Sequence, residues 1–332
     1  MKGAEPLSQQ VYRILSDREF HSGTRLAASC GVSRSAVWKS IAALKTLGVT
    51  VHAVTNRGYR LPAATTLLDA RLIAGALPPA IATRLRSGQA AWCTGSTNAD
   101  LLQRPGLPAG RFDFLTAEFQ TAGRGRRARS WFAPPGGAVC LSLSWSFTAL
   151  PQAMGALSLA IGVCVLRALK SMGVAGAALK WPNDLVVRGA KLGGILIELH
   201  AEAGGPAFVV VGIGCNVALG DAVSQRVEAT GTHATDLSAL GLECCDRNGL
   251  AAALLASSVA GLEQFEHEGF GAFAAEWRAA DALAGKPVVV RMDAGSVAGH
   301  ARGIDINGAL CLQTRDGVQR FITGDVSVRA TA

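Results

Sequence analysis

Positive charge is concentrated at the start of the chain. Residues 1–61 hold nine Lys and Arg residues and three acidic residues, so they carry +6 of the total charge of +8. The remaining residues of the 332 are therefore close to neutral, and 49% of the whole chain is hydrophobic. A small basic unit joined to a longer, nearly neutral body predicts two or three domains, of which the first meets a polyanion.

The basic unit has the pattern of a helix-turn-helix followed by a hairpin. A turn at Gly31 separates two short helical segments, and Ser33 fits the N-cap of the second one. Segment 49–61 alternates like a β-hairpin with its turn at 56–58. Apolar residues at helical spacing predict an earlier helix and the inward stripe of the second: Val11, Ile14, Leu15, Val37, Ile41 and Leu44. This order is typical of winged-helix DNA-binding domains, in which the second helix of the pair enters the major groove.

The outward face of that helix is polar and basic. The residues expected to contact DNA on this helix and on the hairpin wing are Ser33, Arg34, Ser35, Lys39 and Arg57. Trp38 fits either a base contact or half-buried packing. A helical protein-interaction module with a solvated polar face is the alternative, and the combination of charge, turn and wing favours DNA.

The body after about residue 67 alternates strands and helices, which predicts an α+β layered domain. Segment 177–199 reads as two strands joined at 188–190, and Ser96 fits the N-cap of a helix. The most apolar stretch, 155–170, contains Arg167 and Lys170 and is expected to be too short for a membrane span. No apolar signal segment opens the chain, and the eight cysteines form no CxxC pair. We therefore expect a cytoplasmic protein, without a membrane partner, whose thiols are reduced and mostly buried.

Residues 123–131 read GRGRRARSW, with four arginines in a nine-residue stretch. Three interpretations compete: a cradle for anionic ligands, a nucleic-acid patch and a solvated basic turn. Gly123 and Gly125 let the backbone approach a ligand, and the guanidinium fork matches carboxylate and phosphate groups. The sequence has no P-loop, GxSxG elbow or HExxH motif.

Four motifs in order, AEFQTAGRGRRARSW, KWPNDL, KLGGILIE and GIGCNV, resemble the bifunctional biotin protein ligases that also repress the biotin operon. The segment GVSRSAVWKSIAAL with GYRLP resembles the winged helix of that family, and 287–329 resembles its small C-terminal domain. The resemblance implies an α+β chain with a winged helix-turn-helix in 1–65, a class II synthetase-like catalytic domain in 66–283 and an SH3-like β-barrel in 284–332.

The resemblance also implies the reaction and the partners. The family joins biotin to ATP, giving biotinyl-5′-AMP and pyrophosphate, and transfers biotin to a lysine of a biotin carboxyl carrier protein. The same adenylate is the corepressor that favours a homodimer on operator DNA. Because a carboxylate is already ionised at neutral pH, the first step needs fixed cations beside two anionic reactants and no general base.

By motif match, the biotin contacts are Ser96, Thr97, Asn98, Gln120, Arg124, Gly125, Arg126, Lys191 and Gly194. The ATP and adenylate contacts are Arg127, Arg129, Trp131, Asn183 and Asn216. The catalytic residues are Arg126, Lys180, Asp184 and Lys191, and Asp184 is also the candidate Mg²⁺ ligand. Three of these have simpler alternatives: Ser96 as an N-cap alone, Trp131 as a core residue and Lys191 as a surface lysine.

One position departs from the family pattern. The family commonly has glycine where this chain has Ala128. If that position needs a positive φ, alanine there costs about 1 kcal/mol or more. Two other functions stay open: a DNA-binding biotin sensor without ligase turnover, and a lipoate or octanoate protein ligase.

Overall fold

A computed structural model describes residues 5–104, 106–151, 153–201, 207–229, 231, 233–242, 245–292, 295–322 and 327–330. The N-terminal part consists of three helices and a hairpin: α1 (Leu7–Leu15), α2 (Gly23–Cys30), α3 (Arg34–Thr46), β1 (His52–Val54) and β2 (Gly58–Arg60). The Ser33 hydroxyl accepts from the Ala36 N–H at 3.2 Å, and Gly31 ends α2 with a φ of 66°. The inward stripe is buried as expected, so the helix-turn-helix and its wing are confirmed.

The centre of the molecule is a seven-stranded sheet with helices. Its elements before the arginine-rich segment are α4 (Ala70–Gly75), α5 (Pro79–Ala82), β3 (Leu85–Thr94), α6 (Thr97–Leu102) and β4 (Phe112–Gln120). They are followed by β5 (Ala138–Phe147), α7 (Leu157–Ser171), β6 (Ala177–Lys180), β7 (Asp184–Val187), β8 (Ala190–Ala201), β9 (Ala207–Asn216), α8 (Asp221–Glu228), α9 (Arg247–Glu268) and α10 (Gly271–Ala279). The strand order is β3-β4-β5-β9-β8-β7-β6, with β3 and β4 parallel and the other neighbours antiparallel.

Segment 177–199 forms three strands, so the expectation of two was wrong. The chain turns between β6 and β7, and Lys180 pairs with Asp184 across that turn. Pro182 has no N–H to give to a neighbouring strand, which is why the ladder stops there. The second turn, at 188–190, lies where the sequence predicts it.

The sheet has two different faces. On β5 and β9, large apolar residues point to the side covered by α7 and α9, which we call the helix-covered face: Val139, Leu141, Leu143, Trp145, Phe147, Val209, Val211 and Ile213. Alternate positions point to the other side, the small-residue face: Cys140, Ser142, Ser144, Gly212 and Gly214. The period of two along each strand separates the core from this second face.

Helix α7 and the turn before it, Met154–Ser171, are long and apolar enough by length and composition to cross a membrane. The expectation that this stretch is too short was therefore wrong. In the folded chain 61% of the segment is buried inside the molecule. It is a core helix, with Leu157, Ile161 and Val165 in contact with the hydrophobic core.

The C-terminal part is a five-stranded antiparallel sheet. Its strands are β10 (Pro287–Met292), β11 (Gly295–Ile304), β12 (Leu310–Thr314), β13 (Gly317–Phe321) and β14 (Ser327–Ala330), in the order β13-β12-β11-β10-β14. The α+β class and the small C-terminal β domain are confirmed. The seven described cysteines are free, and three of them are buried: Cys140, Cys164 and Cys215. Cys244 lies outside the described residues, so "mostly buried" was too broad for the thiols that can be seen.

The winged helix contacts the central sheet through aromatic side chains. The ring of Tyr12 in α1 lies 5.4 Å from that of Trp92 in β3, which in turn lies 5.7 Å from Phe119 in β4. The Tyr12 hydroxyl donates to the Pro135 carbonyl at 3.2 Å. Burial, followed by the charge of Glu118, raises the pKa of Tyr12 well above its ordinary value, so the hydroxyl stays a neutral donor.

Candidate functional site

The arginine loop, residues 123–131, is a closed hairpin that follows β4. The Trp131 N–H donates to the Gly123 carbonyl at 2.8 Å, and the Gly125 N–H donates to the Arg129 carbonyl at 2.7 Å. A 3₁₀ turn over Arg126–Ala128 forms its tip. Three of the four arginines are exposed and Arg126 is half-buried. Hydrogen bonds within the loop therefore hold its backbone, and the arginine side chains surround a compact tip.

The tip contains two non-glycine residues in the left-handed region. Arg127 has a φ of 56° and Ala128 a φ of 55°. For an L-residue this region costs roughly 1–2 kcal/mol. Position 128 therefore does have the positive φ that makes glycine the favourable residue there.

A buried polar cluster lies at the start of α6, beside the small-residue face. The Thr97 N–H donates to Gln120 Oε1 at 2.8 Å, and the Ser142 hydroxyl lies 2.5 Å from Asn98 Oδ1. Asn98 Nδ2 donates to Glu198 Oε2 at 2.8 Å. These groups are hydrogen-bonded to one another, so the cluster is an ordered set of donors and acceptors of the kind that can bind a polar ligand head.

Ser96 caps α6, since its hydroxyl accepts from the Ala99 N–H at 3.4 Å. The predicted N-cap at Ser96 is thus confirmed, and the buried position of Ser96 beside Thr97 also places it next to the cluster. Ser142 and Glu198 were missed by the sequence analysis. They join the cluster only through the tertiary fold, and no motif marks them.

Two glycines on β9 make room for site residues. A methyl group placed on Gly212 would lie 2.4 Å from Asn98 Oδ1, and one placed on Gly214 would lie 2.5 Å from Cζ2 of Trp131. Both positions are in extended backbone, so close approach, and not a special φ, explains the glycines. The GIGCNV motif contains them, but its spacing gave them no role.

Lys191 and Asp184 meet beside Trp131. Lys191 Nζ donates to Asp184 Oδ1 at 2.6 Å and lies 6.0 Å from the centroid of the Trp131 ring. The side chains of Lys191 and Asp184 are each 27% exposed, so Lys191 is not a free surface lysine. A methyl group on Gly194 would lie 3.4 Å from Lys191 Nζ, which places that glycine against the same ammonium group.

Trp131 is both a packed residue and a wall of the site. It contacts a small buried cluster of Ala133, Ala138 and Cys140, while its ring covers Gly214. Burial raises the pKa of Cys140 to about 11. The thiol beside the tryptophan is therefore neutral at physiological pH and is no nucleophile.

The side-chain amides of Asn183 and Asn216, which were predicted to contact the nucleotide, donate hydrogen bonds to backbone carbonyls. Asn183 Nδ2 donates to the Ile195 carbonyl at 2.8 Å, and Asn216 Nδ2 donates to the carbonyls of Lys191 and Thr235 at 3.3 and 3.0 Å. They fix the strand that carries Lys191. Lys180 is half-buried and lines a small cavity together with Pro182 and Asn183, next to this group.

A buried ion pair supports the site from the helix-covered face. Both Glu118 oxygens accept from the Arg247 guanidinium, at 2.9 and 3.0 Å, and each side chain is only 2% exposed. Burial opposes the charge of Arg247, but Glu118 outweighs that and raises the pKa of this guanidinium. Glu118 also accepts from the N–H groups of Leu68 and Gly136, so it joins β4 to the segment after the arginine loop.

The face predicted to contact DNA is exposed on α3. Arg34, Ser35 and Lys39 point outward, and the Ser33 hydroxyl lies 2.8 Å from that of Ser35 within the cap. On the wing, the Arg57 guanidinium lies 4.2 Å from the centroid of the Phe20 ring. Trp38 is 62% exposed, which excludes half-buried packing for it.

Three family models match in the same order as the structural parts. The HTH domain model matches residues 7–60, the biotin/lipoate A/B protein ligase family matches 85–216, and the biotin protein ligase C-terminal domain matches 284–329. Among solved structures, the biotin protein ligase from Aquifex aeolicus in complex with biotin and ATP has a TM-score of 0.63 at 24% identity. It covers 74% of this chain and 100% of that one. At that identity the likeness shows the fold.

Relatives of known function match over nearly the whole length. The bifunctional ligase/repressor BirA of Escherichia coli is 37% identical over 97% of both chains. The protein of the same description from Bacillus subtilis is 30% identical over 93% of this chain and 94% of the relative. The biotin–[acetyl-CoA-carboxylase] ligase of Mycobacterium tuberculosis is 41% identical over 70% of this chain and 85% of the relative. The chain therefore belongs to the biotin protein ligase family, among its bifunctional ligase/repressor members.

Proposed function

We propose that this protein activates biotin with ATP, transfers it to a lysine of a biotin carboxyl carrier protein, and represses biotin-synthesis genes with the adenylate as corepressor. The proposal rests on the observation that three groups of residues lie at one face of the central sheet. The arginine loop, the Lys191–Asp184 pair and the buried polar cluster all border the small-residue face of one sheet.

In the first step a biotin carboxylate oxygen attacks the α-phosphorus of ATP, and the bond to the β-phosphate oxygen breaks as pyrophosphate leaves. The reactants are both anionic. Arg124, Arg126 and Lys191 supply cations, which lower the energy of the charge that develops between the two reactants. The backbone of Gly125 and Gly194 allows close approach to the same group.

The bicyclic urea of biotin carries N–H donors and a carbonyl acceptor. The polar cluster of Ser96, Thr97, Asn98 and Gln120 offers both complementary types of group in a buried place. A lipoyl or octanoyl chain has no such head and would form no hydrogen bonds with this cluster, which disfavours the lipoate alternative. The matching family model covers biotin ligases and lipoate ligases alike. Adding lipoate as a competitor of biotin in the three-component assay below separates these two functions.

For the nucleotide we assign Arg127 and Arg129 to the phosphates, Trp131 to the adenine, and Asn183 with Asn216 to the support of that side. No cluster of three His, Cys, Asp or Glu residues that could hold a metal occurs within the described part of the chain. One carboxylate, Asp184, fits a Mg²⁺ ion that arrives bound to ATP phosphates. Mg²⁺ is thus a component of the nucleotide substrate, and it supplies charge neutralisation when bound.

In the second step the acceptor lysine attacks the biotinyl carbonyl and AMP leaves. A lysine with a pKa near 10.4 is neutral in only about one molecule in two to three thousand at pH 7. We assign Asp184 to the removal of that proton, with Lys180 beside it as a further cation for the leaving phosphate. Supplied with preformed biotinyl-5′-AMP, which bypasses the binding of MgATP, an Asp184→Ala variant should transfer biotin to the carrier at least tenfold more slowly than wild type in single turnover. An unchanged transfer rate would contradict this assignment.

Regulation follows by linkage. If the adenylate binds the dimer-competent form more tightly, its accumulation shifts the population towards the dimer and places two winged helices on a palindromic operator. Sedimentation with and without biotin and ATP tests this.

The domain boundaries 1–65, 66–283 and 284–332 belong to the same proposal, as does a cytoplasmic location.

A three-component assay tests the whole function. Protein, MgATP, biotin and a carrier domain are incubated, and the carrier is weighed by intact mass spectrometry while pyrophosphate release is followed. The proposal predicts one biotin addition per carrier. No pyrophosphate release here, together with operator binding in a separate gel-shift experiment, would instead identify a biotin sensor that lacks turnover.

A further inference from the structure

Trp38 lies at the centre of the outward face of α3. Val37, Ile41 and Leu44 are buried on the opposite side, while Ser35, Lys39 and Ala42 surround Trp38 on the exposed side. The indole is 62% exposed. Helical spacing places Ser35, Trp38, Lys39 and Ala42 on one stripe, so any partner that docks along α3 meets the indole directly.

The charges around Trp38 favour duplex DNA as that partner. Arg34 and Lys39 flank the indole on the helix, and the wing carries Arg57 and Arg60, whose guanidinium carbons lie 4.2 and 4.8 Å from the centroid of the Phe20 ring. The first 61 residues carry +6. Cations on a helix and on the adjoining wing match the phosphates that border a groove.

The chemistry of indole limits what it reads in a major groove. It has one N–H donor and a broad apolar surface, so it makes no bidentate contact with a base. The one apolar group on the major-groove edges of the four base pairs is the 5-methyl group of thymine. Ser35, the neighbouring polar residue, already has its hydroxyl bonded to Ser33 within the helix cap. Ala42, one turn further along, is small enough to let the helix approach the groove.

We propose that Trp38 is a specificity-determining residue that recognises thymine through its 5-methyl group. This inference rests on the proposed DNA binding and adds to it the base and the atom that are read. Ser33, Arg34, Ser35, Lys39 and Arg57 then position the helix, mainly through phosphates, while the indole discriminates.

The experiment begins with selection of a bound sequence from random duplexes by the full-length protein with biotin and MgATP. Each thymine in the selected half-site is then replaced by deoxyuridine, which lacks only the methyl group. Wild type should lose roughly fourfold in affinity per half-site at one or two positions, as expected for one buried methyl-sized group. Trp38→Ala should bind more weakly and show no further loss at those positions.

Lys39→Ala is the matched control on the same helix face. It should weaken binding to every sequence, reduce the slope of affinity against salt by about one, and keep full sensitivity to deoxyuridine. Both variants change exposed side chains that are not part of the proposed ligase site, so biotinyl-5′-AMP formation should stay unchanged and report correct folding.

Two results would overturn the inference while leaving DNA binding intact. One is a Trp38→Ala variant that binds as tightly as wild type, and the other is a variant that keeps the wild-type sensitivity to deoxyuridine. A wild-type protein that selects no duplex at all would refute the DNA-binding proposal itself, and the role of Trp38 with it.

Discussion

The two faces of the central sheet are built from the same strands but differ in what their side chains do. On β9, Val211 and Ile213 pack beneath α7 and α9, while their neighbours Gly212 and Gly214 leave space for Asn98 and Trp131. Large residues exclude water and stabilise the fold on one side. Small ones on the other side let a ligand and its polar partners come close to the backbone. Changes to the helix-covered face should therefore alter stability, and changes to the small-residue face should alter activity.

The strongest test of the helix-covered face is Glu118→Gln. It leaves the buried Arg247 without its counter-charge, which costs about 3–5 kcal/mol in the free energy of unfolding. Urea denaturation measures this. The surface pair of Arg84 and Glu263 is the control, because Glu263→Gln should cost less than about 1 kcal/mol. Similar small effects for both variants would show that the buried pair is not a main support of the fold.

Lys191→Ala tests the small-residue face by removing a positive charge from the proposed site. Loss of one fixed cation at the reacting group should slow biotinyl-5′-AMP formation by roughly 10²–10³-fold. The melting temperature should change little, because the pair with Asp184 is partly exposed. Pyrophosphate release in single turnover measures the rate. An unchanged rate would remove Lys191 from the catalytic set.

Gly214→Ala tests the small-residue face by filling the space that Gly214 leaves for Trp131. The added methyl must displace the Trp131 ring, and a shift of about 1 Å in a site wall costs on the order of 10²-fold in rate. The matched variant on the adjoining residue is Ile213→Val, which should cost about 1 kcal/mol of stability with little effect on rate. Gly271→Ala, where a methyl meets nothing within 4 Å, is the neutral control. If Gly214→Ala and Ile213→Val change the reaction rate by similar amounts and also change the stability by similar amounts, the contrast between the faces is wrong.

Ala128→Gly should give the smallest effect. Glycine relieves a left-handed φ of 55° and is worth about 1 kcal/mol in the ordered loop. We expect retention of the adenylate to be preserved or raised, measured by its dissociation rate. A large fall in ligase rate would show that the alanine is needed.

Local patterns made much of the fold predictable. Helical spacing, the Ser33 cap and the 56–58 turn lie within short segments, and the sequence therefore predicted the winged helix. The turn between β6 and β7 was missed although Trp181, Pro182 and Asn183 separate the two strands, and Pro182 followed by Asn183 is typical of a turn. The residues that complete the site were missed for a different reason. Glu198 and Ser142 meet Asn98 from 100 and 44 residues away, and Arg247 meets Glu118 from 129 residues away.

The residues expected in the biotin site also show what a motif conveys. The structure brings Thr97, Asn98 and Gln120 into one hydrogen-bonded cluster and brings Lys191 to Asp184. A motif gives the residue types and their order. It does not give the glycines on the neighbouring strand that make the space, because their effect depends on side chains elsewhere in the chain.

The most direct test is a crystal structure with biotinyl-5′-AMP bound. The proposed clamp predicts the urea head among Thr97, Asn98 and Gln120, with the phosphate about 3 Å from Lys191 Nζ and from a guanidinium of Arg124 or Arg126. An adenylate bound elsewhere, with those guanidinium groups pointing into solvent, would contradict the account.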